Sequence, residues 1–208
     1  MFCIERDYYP LPPQTALTPI KAGRFTEELD IAQGKLSMGF ITPVNNRHPQ
    51  LAEFQAFNVI FGAGMTSKLF MNVRERLSLC YYCSSYYDIF KGALFVSCGV
   101  APENRDKAEG EILNQLSEIV NGNISEEEFE AAKHSLCNSY RSISDSPALI
   151  ENYYFCRSEF GVACSLGECM ERIRAVTLAD VIRMAASVRL DTVYFLSGNG
   201  EEDEDAAD

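Results

Sequence analysis

The stretch from Gly62 to Asp88 constrains the fold more than any other part of the chain. A Gly62-x-Gly64 loop opens it. A short amphipathic run ending near Arg76 follows and reads as a helix. A run that reads as a strand begins near Leu79. Lys91-Gly92 then makes a turn, and the apolar run Ala93 to Val100 pairs back as the second strand of a hairpin. Loop, helix and hairpin are therefore fixed in that order, and other elements must pack around them.

Upstream, Gln33 to Thr42 alternates Leu36, Met38 and Phe40 with Lys35, Ser37 and Gly39, the pattern of a half-buried strand. Pro49 opens a helix carrying Phe54, Phe57 and Phe61 at helical spacing, and Gly62 ends it. Downstream of the hairpin, Pro102 leads into a helix with Ala108, Ile112, Leu116 and Ile119 on one face; Glu109, Gln115 and Glu118 fall elsewhere. Ser125 with Glu128, Ser165 with Glu168 and Thr177 with Asp180 are capping-box pairs that start three more helices. Asp145-Ser146-Pro147 breaks the first of these, and a further helix runs through Asn152 to Phe160. Thr192 to Ser197 is a last apolar strand, expected to be central. The order predicts an α+β fold: an antiparallel or mixed sheet with helices packed on one face. No internal repeat is seen. The expected organisation is a linker or arm at 1–20, one domain at 21–198 and a tail at 199–208.

The opening arm carries Pro10, Pro12, Pro13 and Pro19, the composition of an extended linker. A chain that starts this way is expected to be one part of a longer two-half molecule. Net charge is −12, of which the tail from Glu201 to Asp208 supplies six acids, so the body is near −6. That tail reads as a solvated, disordered end. An acidic body argues against nucleic-acid binding, which needs Lys and Arg to neutralise phosphates. No apolar run approaches the roughly 18 residues of a membrane span. The first residues contain acid and lack a signal peptide's apolar region, so the expected location is cytoplasmic.

Eight cysteines fit a reducing compartment. Most lie in apolar periodic segments and read as small core residues. Cys80-x-x-Cys83 alone has metal-like or redox-like spacing, but in a strand positions i and i+3 point to opposite faces. The two histidines, His48 and His134, lie far apart in sequence. Neither belongs to a His-x-x-Glu-His turn, so no hydrolytic zinc site is expected, and Glu130 with His134 reads as a helix-surface pair. The Gly62-x-Gly64 loop follows a helix and lacks Gly-Lys-Ser/Thr, which argues against a phosphate cradle. Tyr81, Tyr82, Tyr86 and Tyr87 would divide between two strand faces, and Arg74 alone would read as a solvated cation. Arg74 and Tyr81 gain meaning together. They flank the helix-to-strand junction, and their side chains can aim into one cleft.

Gly62-Ala63-Gly64-Met65-Thr66-Ser67-Lys68-Leu69-Phe70 resembles the Gly-Gly-Gly-x-Ser-Ser-Arg-Leu-Phe loop of the insulinase/pitrilysin/mitochondrial processing peptidase family. Val73-Arg74-Glu75-Arg76 through Leu79-Cys80-Tyr81 resembles the Val-Arg-Glu-Lys-x-Gly-Leu-Ala-Tyr segment that follows it. The match extends over residues 20 to 198. It departs where two glycines stand for three, where Ser78 replaces a glycine, and at Cys80, Tyr82 and Cys83. The resemblance is to the zinc-free, C-terminal-type half of these metallopeptidases. It implies that Arg74 and Tyr81 contact substrate beside a zinc held by another half. It also implies that Gly62, Gly64 and Ser67 form a substrate-facing loop. The implied partners are a zinc-bearing homologous half, on the same or another polypeptide, and a peptide substrate; a homodimer is the other assembly open to it. No metal or cofactor is expected on this chain, and alone it is expected to be inactive. A non-catalytic binding or assembly subunit of the same fold is the alternative, and an unrelated α+β binding module is the third reading.

Overall fold

The computed structural model describes residues 23–31, 33–158 and 164–198. The proline-rich arm and the acidic tail lie outside the described residues. Five strands form one mixed sheet: β1 (Gly23–Leu29), β2 (Lys35–Ile41), β3 (Tyr82–Asp88), β4 (Ala93–Gly99) and β5 (Arg189–Gly198). Their spatial order is β1-β5-β2-β4-β3. β1 runs parallel to β5, and the other neighbours are antiparallel. Six α-helices complete the described fold: α1 (Leu51–Asn58), α2 (Arg105–Val120), α3 (Glu126–Ser144), α4 (Pro147–Ser158), α5 (Leu166–Ala175) and α6 (Leu178–Ser187). Two segments, Val59–Ala63 and Leu69–Arg76, are wound as π-helix.

Alternation along the strands sets the layers. Leu36, Met38, Phe40, Leu94, Val96, Cys98, Val193 and Phe195 are buried on one face, where the helices pack. The other face is left to Phe25, Tyr82, Tyr86 and Phe95, all exposed. The expected α+β architecture with helices on one face is what forms. The three capping boxes are complete, with Ser125, Ser165 and Thr177 each exchanging hydrogen bonds with the acid three residues on. The turn before β4 places Gly92 at φ +66°, with its missing Cβ 2.7 Å from the Val44 carbonyl oxygen.

One strand lies outside the expectations, and two expectations are corrected. β1 has no clear apolar alternation; it forms by pairing with β5, with Tyr194 Oη donating to Glu27 Oε2 at 2.5 Å. Glu109 and Gln115 are buried rather than set apart from the core, because each has a polar partner: Arg24 and Arg105 for Glu109, Asn72 for Gln115. The strand expected from Leu79 begins at Tyr82, so Cys80 stands in the extended link before it.

Candidate functional site

The junction between the π-helix Leu69–Arg76 and β3 is braced from several elements. Gly62 is buried where the preceding π-turn meets β3. A Cβ there would lie 2.7 Å from both Leu69 Cδ1 and Ser85 Oγ, so only glycine allows this approach. Ser85 Oγ donates to Asn58 Oδ1 at 2.7 Å, fixing the edge strand to the end of α1. Lys68, buried at the loop's end, pairs with Glu128 at 3.0 Å. The same Glu128 carboxylate closes the α3 capping box. Asn72 Nδ2 donates to Gln115 Oε1 at 2.8 Å, tying the π-helix to α2. Widened winding shows at the helix end, where the Leu77 N–H reaches the Asn72 carbonyl at 3.2 Å. Ser78 then turns the chain with φ +48°, the one non-glycine positive φ among the described residues. That conformation suits the glycine which Ser78 replaces in the family pattern.

Arg74 and Tyr81 both emerge at this junction. The Arg74 side chain is 41% exposed; its guanidinium lies 4.7 Å from the Phe70 ring centroid and its Nε is 3.6 Å from Glu75. Tyr81 is 71% exposed. Its backbone N–H donates to the Gly99 carbonyl at 2.8 Å, so the main chain is pinned to β4. Among the described residues its phenol has no hydrogen-bond partner. The anticipated loop divides. Ser67 is 1% exposed, and its Oγ accepts from the Phe70 N–H at 3.4 Å. Gly62 is likewise buried. These two shape the loop from within, while Gly64 is half-buried and Ala63, Met65 and Thr66 form its exposed rim. Gly64 is extended at φ −140°, which any residue adopts.

The two histidines are not brought together. His48 Nδ1 accepts from the Gln50 N–H within its turn at 3.2 Å. His134 is exposed on α3, and the Glu130 carboxylate is taken by Lys133 at 3.4 Å. Three cysteines, by contrast, do converge. Cys83 and Cys98 are directly opposed on β3 and β4, and the Sγ atoms of Cys80, Cys83 and Cys98 all lie within 4.8 Å of one another. The close approach of the Cys83 and Cys98 thiols, helped by the nearby Arg74 charge, holds the pKa of the Cys80 thiol below its ordinary value. Cys83 and Cys98 are pushed up by the neighbouring Cys80 thiol and by burial. The reading in which Cys80 and Cys83 point apart fails because Cys80 precedes the strand. Counting back from the Lys91-Gly92 turn would have set Cys98 opposite Cys83.

The description of the peptidase M16 inactive domain matches residues 7–136, more than half of the chain. A "probable inactive metalloprotease", YmfF of Bacillus subtilis, is 33% identical over 172 residues, covering 83% of this chain and 40% of that protein. An "uncharacterized zinc protease" of Rickettsia bellii is 28% identical over 165 residues, covering 75% of this chain and 38% of that protein. Among solved structures, a conserved protein from Enterococcus faecalis superposes with a TM-score of 0.84 at 33% identity, over 89% of this chain and 44% of that one. A peptidase M16 inactive domain from Pseudomonas fluorescens superposes with a TM-score of 0.77 at 17% identity, over 89% and 46%. The chain thus spans about 40% of the length of the curated relatives it matches. On its sequence match and its fold, the chain belongs to the peptidase M16 family, as an inactive domain of the C-terminal type.

Proposed function

We propose that this chain is the zinc-free half of a two-half metallopeptidase, closing over peptide substrate held against a zinc-bearing half. The observation that carries the reading is Tyr81: its main chain is fixed to β4 while its phenol is exposed and free to donate. A donor with no internal partner to give up is available to a developing oxyanion, and the pinned main chain fixes where it emerges. In this reading Arg74 binds a substrate backbone carbonyl or carboxylate, and Tyr81 donates to the oxyanion of the tetrahedral intermediate. The zinc and general base belong to the other half, on the same or a separate polypeptide, and the metal supplies Lewis acidity there. The exposed aromatic sheet face, Phe25, Tyr82, Tyr86 and Phe95, supports a partner or extended peptide laid across it. Reconstitution tests this. Peptide hydrolysis is expected from the zinc-bearing half combined with this chain and from neither alone; equal hydrolysis by the zinc-bearing half without this chain would refute it.

A second reading is a non-catalytic binding or assembly subunit of the same fold. What favours it is the Bacillus relative, described as an inactive metalloprotease. In that case the paired half also lacks His-x-x-Glu-His, and the reconstituted molecule binds peptide without cleaving it.

A further inference from the structure

We propose that Cys80, Cys83 and Cys98 form a binding site for one thiophilic divalent cation of the zinc type, with a structural rather than hydrolytic role. The inference does not depend on the proposed function. It revises the expectation that this chain holds no metal, which rested on the missing His-x-x-Glu-His pattern and on Cys80 and Cys83 pointing apart.

Three observations carry it. The first is convergence. Thiolates bound to zinc at about 2.3 Å in tetrahedral geometry stand roughly 3.8 Å from one another. Three Sγ atoms within 4.8 Å of one another need only a small inward movement to reach that arrangement. The second is rigidity. Cys83 is 3% and Cys98 0% exposed, and they face each other across paired strands, so two ligands are held by the sheet. Cys80 is half-buried and stands in the link, so the third ligand can adjust and the fourth position can be taken by water. The third is charge. Three clustered thiolates, two of them buried, would alone be strongly disfavoured. A divalent cation cancels two of the three charges, where a monovalent soft ion would cancel only one. Soft thiolate ligation selects against magnesium and calcium.

Filling the site would fasten the link after Ser78 to both strands of the hairpin. That link positions Arg74 on one side and Tyr81 on the other. The ion would therefore act as a staple for the junction, and its binding would release thiol protons.

The test uses the whole chain, prepared reduced and metal-free, and titrated with Cd²⁺ and then Zn²⁺. The thiolate-to-metal charge-transfer absorption of the cadmium form and elemental analysis after desalting give affinity and stoichiometry. About one ion per chain is expected, with a rise in Tm. Cys80→Ser, which alters a half-exposed position and leaves the strands intact, is expected to weaken binding at least tenfold. Cys98→Ser should do the same, and Cys137→Ser, outside the cluster, should leave the affinity and stoichiometry of ion binding unchanged. Failure of the native chain to retain an ion would overturn the proposal. So would retention unchanged in Cys80→Ser, which would place the ion elsewhere, for instance at Cys164 and Cys169 with their Sγ atoms 3.0 Å apart. A mass lowered by two hydrogens in the metal-free chain under reducing conditions would instead identify a disulfide, and would also overturn it.

Discussion

The helical second half and the Gly62–Tyr82 junction are built on different principles. In the helical half, α3, α5 and α6 each begin with a capping box closed between residues three apart. Their starts are local decisions, readable from neighbouring residues. The junction is held by partners from far along the chain: Lys68 by Glu128, Asn72 by Gln115, Gly62 by the approach of Ser85. It also contains π-winding and a serine at φ +48°. Such features persist only where surrounding contacts over-determine them, and they concentrate at functional sites. Here they surround the two residues proposed to meet substrate. The two regions meet at Glu128, which caps α3 and neutralises Lys68 with the same carboxylate.

That comparison can be broken or sharpened by substitution. The largest effect is expected for Lys68→Met, which leaves Glu128 without its cation and the loop without its anchor. A loss of about 2–3 kcal/mol is expected, below the value for a fully buried pair because Glu128 stays partly in water. Urea denaturation gives this number directly. A double-mutant cycle with Glu128→Gln should show non-additivity, since the ion pair to Lys68 and the cap's bond from the Ser125 N–H share that one carboxylate. Additive losses would mean the regions are independent.

Thr177→Ala is expected to cost about 1 kcal/mol, the usual loss of a cap. Its pH signature is specific. The Thr177 hydroxyl, then its N–H and Arg183, hold the Asp180 carboxyl below the ordinary range, and the Ser165 N–H and hydroxyl do the same for Glu168. Both folded values are lowered, so this stabilisation is complete above the unfolded carboxylate pKa of about 4 and is lost as pH falls through the folded values. The Tm difference between native chain and Thr177→Ala should therefore be constant near neutrality and shrink below about pH 4. A difference undiminished at low pH would show that the hydroxyl acts through the Asp180 N–H and that the Asp180 carboxylate is not the partner that matters.

The smallest expected effect is a gain. Ser78→Gly removes left-handed strain and adds unfolded-state entropy, for a net stabilisation of roughly 0.5–1 kcal/mol. A loss would show that the Ser78 side chain contributes more than its backbone costs.

The same contrast explains what the sequence reveals. The capping boxes, the β2 alternation, the hairpin turn at Gly92 and the break before Pro147 are each signalled by residues that then make the contact. β1 is not, because Arg24, Thr26, Glu27 and Glu28 interrupt any apolar pattern and only pairing with β5 makes it a strand. Glu109 and Gln115 carry no sign of burial, since their partners lie on other elements. At the candidate site, Arg74 and Tyr81 are legible as a spaced pair. The buried orientation of Gly62 and Ser67 is not, because it depends on where β3 and α1 pack. The cysteine cluster is legible only once the hairpin register is counted, as Cys80 contributes from outside the strand.

The central claim concerns Tyr81, and turnover by the assembled two-half molecule tests it most directly. With Tyr81→Phe, kcat for peptide hydrolysis should fall at least tenfold, the scale of a lost oxyanion donor. Tm should be unchanged, because the phenol has no hydrogen-bond partner among the described residues and the backbone bond to Gly99 is kept. An unaltered kcat at unaltered stability would contradict the assignment.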